Sequence, residues 1–234
     1  AYLELGVCAF RSGDQVAVSF VDNNGTNNEE HFDYLLAATG RRPNVDNLGL
    51  ESTGLSLNEH GVPSFNRSTM QCGDQPIFIA GDANHENPVM PDAFDEGEIA
   101  GANAGRYPNV EPGRRHCPMS IVFTEPQMAL IGDRYADLAT ADYAIGEFDF
   151  AAQPRALVMR ENHGIMRVYG RPSDGTFRGA EILGPHAEHL GHLLAWAQDS
   201  GMTVERMLDM PYYHPVLETA IRNALQDLQQ KMKQ

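Results

Sequence analysis

The chain has 234 residues, 42% of them hydrophobic and 21% charged, which supports a packed core and excludes a disordered or low-complexity chain. Its 17 basic side chains stand against 32 acidic ones, and a net charge of −15 excludes attraction to nucleic acid or an anionic membrane surface, leaving small molecules and proteins as partners. No apolar run approaches the roughly 20 residues of a membrane span, and "AYLELGVCAF" has no basic segment leading a hydrophobic one, so the chain reads as cytoplasmic.

Residues 1–40 fall into short alternating stretches, of which QVAVSFV (15–21) predicts a strand and Asn24-Gly25 in the polar turn after it predicts a hairpin. HFDYLLAATG ends in a near-continuous apolar run closed by Gly40, the pattern of a buried strand. A loop rich in Arg, Pro and Asn leads to PIFIAGD, where residues 77–82 predict a second apolar strand stopped by Gly-Asp. In PVMPDAFDEGEIAGANAGR, Ala93, Phe94, Gly97, Ala100, Gly101 and Ala104 fall at helical spacing. A helix with so little bulk on one face suits close packing against another backbone or a flat ligand.

Between Pro108 and Pro118 the composition shifts to Pro, Gly and Arg, which predicts a domain boundary. Beyond it MSIVFT (119–124), QMALIGD (127–133), YAIGEFDFA, GIMRVYG and FRGAEILG predict strands, with a short helix from Tyr135. Two helices close the chain. The first, from about His186 to Ser200, carries Leu190, Leu193, Leu194 and Ala197 on one side. The second follows Pro215, with Leu217, Ile221, Ala224, Leu228 and Met232 in a nearly heptad-like stripe suited to a second helix or a second subunit. Pro215 fits the first helical position, which makes His214 a cap-like residue and places Glu218 one turn away on roughly the same side. The helix dipole also favours an acid there, whatever its chemistry. Cys8, Cys72 and Cys117 are odd in number, far apart and in no C-x-x-C pair, so they read as packing thiols and point to neither a disulfide framework nor a metal site.

Four motifs then stand in order: LLAATGRRPN (35–44) with IFIAGDAN (77–84), PVMPDAFDEG (88–97), FTEPQMALIG (123–132) and HPVLE (214–218). Together they resemble the flavin-dependent pyridine nucleotide-disulfide oxidoreductases, most closely the dihydrolipoamide dehydrogenase-like branch. The resemblance implies FAD and NAD(P) as cofactors and a homodimer that passes electrons between NAD(P)H and a dithiol or disulfide, on a small molecule or a lipoyl protein. By position it implies that Asp82 accepts hydrogen bonds from the ribityl hydroxyls of FAD, a role suited to a group with acceptor sites only. Val89, Met90, Pro91 and Asp92 would lie by the isoalloxazine ring, their backbone N–H groups near its pyrimidine oxygen; Pro91 has no N–H, so its neighbours must donate. Gly40 would sit by the nicotinamide nucleotide, although a tight turn explains that glycine equally well.

The same resemblance implies that His214 is the catalytic base, reaching across the dimer to take a proton from a substrate or interchange thiol, with Glu218 as its orienting carboxylate. Imidazole ordinarily titrates near neutrality, which is what a base in thiol chemistry requires. In the family's common H-P-T-x-S-E pattern the acid stands five residues after the histidine, whereas here Thr219 holds that place and the acid stands at four.

The 234 residues hold neither a G-x-G-x-x-G fingerprint nor a C-x-x-x-x-C redox pair, and they do not start with Met. The expectation is therefore the C-terminal half of a longer enzyme, inactive by itself. The expected fold is α/β in three pieces: a remnant of the NAD(P)-binding domain (1–43), the C-terminal part of the FAD-binding domain (44–115), and an α+β dimerisation domain (116–234) with an antiparallel sheet flanked by helices. A non-catalytic dimerisation or regulatory module stays open as an alternative, as does a reductase of glutathione or mercuric ion.

Overall fold

The alternating run at 15–21 is a strand, as its spacing predicts, and it forms the centre of a small antiparallel sheet: β1 (Val7–Ser12), β2 (Gln15–Val21) and β3 (Asn27–Phe32), in that order. Asp22 makes the second turn. Its carboxylate accepts the backbone N–H groups of Asn24 and Thr26, both at 2.9 Å, and Gly25 takes the left-handed φ of 81°. The computed structural model describes residues 7–22, 24–138 and 142–233, so residues 1–6 of the alternating stretch lie outside the described residues. The chain divides into two units, Ala1–Arg42 and Pro43–Gln234.

The buried strand expected before Gly40 is not formed. Residues 33–44 carry no regular element, and Tyr34 and Leu36 are 92% and 88% exposed. An apolar run becomes a buried strand only when neighbours pair with both edges and cover both faces, and among the described residues no strand pairs with this one.

In the second unit, residues 43–89 form turns and isolated bridges (Leu57 to Pro63, Phe65 to Cys72, Gln71 to Phe78) around a small core of Met70, Ile99 and Ala100. The strand expected at 77–82 is reduced to the Phe78 bridge, for the same lack of a second neighbour, and passes into a 3₁₀ turn at Gly81–Asn84. Helix α1 (Met90–Arg106) follows, but it is turned differently from the small-residue expectation. It buries Asp92, Glu96, Ile99, Ala100 and Asn103, while Gly97, Gly101 and Ala104 face out and Phe94 is 70% exposed. The stretch after it, where the composition shifts, is pinned back onto α1 by Asn103, which exchanges two 2.9 Å bonds with the backbone of Glu111.

The larger core belongs to a five-stranded antiparallel sheet of β4 (Met119–Val122), β5 (Gln127–Gly132), β6 (Ala144–Asp149), β7 (Ile165–Gly170) and β8 (Phe177–Gly184), ordered β4-β5-β8-β7-β6. The register places Ala129, Ile131, Ala180, Ile182, Met166 and Val168 on one buried face. Helix α3 (Ala187–Asp199) covers β5 and β8 with Leu190 and Leu194, and α5 (Thr219–Lys231) covers β6 and β7 with Ala224, Leu225 and Leu228. The short helix α2 (Pro154–Met159) packs on the 3₁₀ turn Phe150–Ala152 before it, and α4 (Val204–Leu208) packs on α5. This is the expected sheet flanked by helices. Ile221, Ala224 and Leu228 are used within the chain, against its own sheet, and Leu193 of α3 is turned outward.

Gly146 explains how closely α5 lies on the sheet. It sits in β6 opposite Val168, and a Cβ there would stand 2.3 Å from the carbonyl oxygen of Ala224 and 2.6 Å from Leu228. Gly146→Ala is therefore expected to push α5 off β6 and to cost about 1–3 kcal/mol, read as a lower urea midpoint with an unchanged slope.

Candidate functional site

Two groups of residues could carry chemistry, and each rests on a different core. The first is the polar turn before α1. Gly81 has a φ of 66°, and a Cβ there would come to 3.0 Å from that of Ala93, so the turn is pressed against the helix. Below it lies Glu96, 1% exposed, whose carboxylate accepts from the Gly81 N–H at 2.7 Å, the Asn84 amide at 2.6 Å and the Arg115 guanidinium at 2.6 Å. Arg115 also reaches Glu86 at 3.2 Å, and Arg67 meets the same carboxylate at 3.0 Å. This network holds the turn that carries Asp82, which is half-buried between Gly81 and Asn84.

Val89 is extended and precedes the first turn of α1. The first N–H groups of a helix have no partner inside it, so Met90 and Asp92 present donors at the positive end of the dipole, while Pro91 presents none. Met90 and Pro91 are exposed; Asp92 is buried, and its carboxylate accepts from the Asn87 amide. An open polar cavity of about 750 Å³ borders this segment, lined by Arg67, Glu86, Asn87, Asp92 and Arg115 among others. Asp82 and residues 89–92 thus lie on one short stretch that leads into the first turn of α1. Gly40 belongs to the other unit, exposed and with a φ of 97°.

The second group is the turn between α4 and α5. Here the expected helix start is corrected. Helix α5 begins at Thr219, not at Pro215, and His214 to Leu217 form turns after a cis His214-Pro215 peptide. The carbonyl of Val216, which a helix from Pro215 would give to the Ala220 N–H, is taken by the Gln153 amide at 2.7 Å and the Thr219 hydroxyl at 2.8 Å; Ala220 bonds Leu217 instead. His214 is exposed, Glu218 half-buried at the α5 N-cap, and among the described residues no hydrogen bond or ion pair joins the two. Glu218 lines an apolar cavity of about 470 Å³ with Trp196, Met207 and Tyr213, and a second cavity with Arg155, His186 and His189. On the other side of His214 the Tyr212 hydroxyl donates to the Met207 carbonyl at 3.2 Å, and burial pushes that phenol's pKa up.

Of the cysteines, Cys72 and Cys117 are poor thiolates. Burial raises both, Cys117 to about 11 with Asp199 and Asp133 contributing.

Residues 118–225 match a family described as the pyridine nucleotide-disulphide oxidoreductase dimerisation domain. Residues 118–225 are a dimerisation domain of the pyridine nucleotide-disulphide oxidoreductase type. It is 33% identical over 196 residues to a dihydrolipoyl dehydrogenase of Bacillus subtilis, covering 82% of this chain and 42% of that protein. With the dihydrolipoyl dehydrogenase of Haloferax volcanii it shares 29% identity over 230 residues, covering 97% of this chain and 48% of the relative. The chain thus spans just under half the length of these curated relatives, and it corresponds to their C-terminal portion. Among solved structures, LpdA of Mycobacterium tuberculosis matches with a TM-score of 0.76 and 25% identity, over 93% of this chain and 47% of that one. The flavoprotein disulfide reductase RclA of Escherichia coli shares the fold, with a TM-score of 0.74 at 21% identity over 97% of this chain and 50% of its own.

Sequence reasoning missed Glu96, Arg115 and Gln153. Glu96 sits among charged neighbours in FDEGEIAG and looks solvated, although its helical spacing to Ile99, Ala100 and Asn103 marks the buried face. Gln153 stands just before Pro154 and Ala156, a cap-and-proline helix start that is visible once α2 is sought.

Proposed function

We propose that this chain serves a homodimeric, cytoplasmic flavoenzyme of dihydrolipoyl dehydrogenase type, contributing its dimer surface, a segment that holds FAD and a catalytic histidine. The observation that carries this reading is the occurrence, in one chain, of the dimerisation domain with an exposed, braced His214 and of a built polar turn that presents Asp82 beside the α1 N-terminus. The residues present fit the flavin: Asp82 offers acceptors for ribityl hydroxyls, and the N–H groups of Met90 and Asp92, without partners inside the helix, lie at the helix start for a polarised ring oxygen. FAD, when bound, would supply the two-electron relay between a dithiol and NAD(P). This chain's own residues hold it, shape the surface and move the proton. His214 accepts that proton from a thiol brought to its exposed face, converting it to the thiolate that reacts. Its match to dihydrolipoyl dehydrogenases favours a dihydrolipoyl group, free or carried on a protein, as the dithiol.

The test joins these 234 residues to a segment bearing the FAD fingerprint and the redox disulfide. A yellow dimer whose flavin bands bleach under NADH is the expected result. A colourless, NADH-inert protein refutes the enzyme reading and leaves a non-catalytic dimerisation module.

A further inference from the structure

His214 is exposed, yet the turn carrying it is fixed from below, and the residue that fixes it lies far away in sequence, just before α2. We propose that Gln153 is a positioning residue for His214, its buried carboxamide holding the Val216 carbonyl and so setting the direction in which the imidazole leaves the surface. The proposal rests on His214 being the base. Gln153 is 0% exposed and every polar atom of its side chain is satisfied. The amide oxygen accepts from the Ala156 N–H at 2.7 Å, and the amide nitrogen donates to the Val216 carbonyl at 2.7 Å and the Thr219 hydroxyl at 3.0 Å. That hydroxyl donates to the same carbonyl at 2.8 Å, closing a three-membered network.

The chemistry argues for more than a helix cap. Capping α2 needs one acceptor, which serine or aspartate supplies from a shorter side chain. The NH₂ group adds nothing to the cap, and both bonds it makes go to the segment that begins two residues after His214. Because an unpaired buried amide is costly, the side chain has one arrangement in which all its bonds are made. The turn therefore inherits the rigidity of the α2 start. The Tyr212 bond to Met207, two residues before the base, steadies the other end.

The experiment uses the flavin-loaded enzyme. Gln153→Ser keeps a cap acceptor but is too short to reach Val216; Gln153→Leu fills the space but makes neither bond. Two turnovers are compared: oxidation of the dithiol, which needs the base, and NADH-driven reduction of a one-electron dye, which takes no proton from a dithiol. Both variants are expected to lose about ten- to a hundredfold in dithiol kcat/KM, mainly in kcat, with dye turnover held within about twofold. The pH profile of dithiol oxidation should shift with them. His214→Ala is run alongside. If it leaves dithiol oxidation intact, the base reading itself is refuted. If His214→Ala is crippled while either Gln153 variant oxidises dithiol like the unsubstituted enzyme, the positioning proposal alone is overturned. A parallel loss of dye turnover in both variants makes Gln153 merely structural and overturns it too.

Discussion

Replacing His214 by alanine in the flavin-loaded dimer is expected to lower dithiol oxidation by about 10²–10⁴-fold, the usual contribution of a positioned general base. Stability should not follow, because the imidazole is exposed and, among the described residues, makes no hydrogen bond or ion pair that the fold would lose. Stopped-flow reduction of the flavin by dithiol, compared with its reduction by NADH, separates the two half-reactions, and only the first should slow. Equal slowing of both would mean that the substitution disturbs the flavin rather than proton transfer. The same assay on Glu218→Gln measures how much the base owes to the acid four residues on. With no direct bond between them and Glu218 at the cap of α5, that loss is expected to be smaller.

The largest stability effect is expected at Glu96. Glu96→Ala removes the acceptor of the Gly81 N–H, the Asn84 amide and the Arg115 guanidinium together. Breaking one side of a buried ion pair costs about 3–5 kcal/mol, and the value here belongs at the low end because Arg115 stays about one-fifth exposed and keeps Glu86. Glu96→Gln keeps one acceptor but sets an NH₂ group against donors, so it should fall between alanine and the native residue. Urea unfolding gives the order. Because the turn held by Glu96 also presents Asp82, both variants are expected to release FAD more readily from the loaded enzyme; undiminished retention would separate the turn's stability from flavin binding.

The antiparallel sheet from 119 to 184 was legible because its strands carry their own information: each has a polar or partly exposed face and neighbours close in sequence. The runs at 35–40 and 77–82 misled because hydrophobicity does not say whether partner strands exist, and a run without them stays extended or breaks into bridges. Helix α1 was found but rotated. Small residues suggest the packed face, whereas the buried face holds Asp92, Glu96 and Asn103, whose hydrogen-bond partners stand 5 to 34 residues away. At 214–218 the local signals for a helix start were sound in themselves. What overrode them was the Val216 carbonyl being taken by Gln153, 63 residues away, a competition invisible within any window of sequence.

The seat of α5 has one more consequence. Gly146 lets that helix lie on the backbone of β6, and Thr219, its first residue, shares the Gln153 amide with the turn bearing His214. On the proposed reading the last 13-residue helix and the turn bearing His214 are coupled: when α5 lifts from the sheet, Thr219 leaves both the Gln153 amide and the Val216 carbonyl, and the turn keeps only its Gln153 bond. The proposed site is then expected to keep its geometry only while α5 stays docked on β6 and β7.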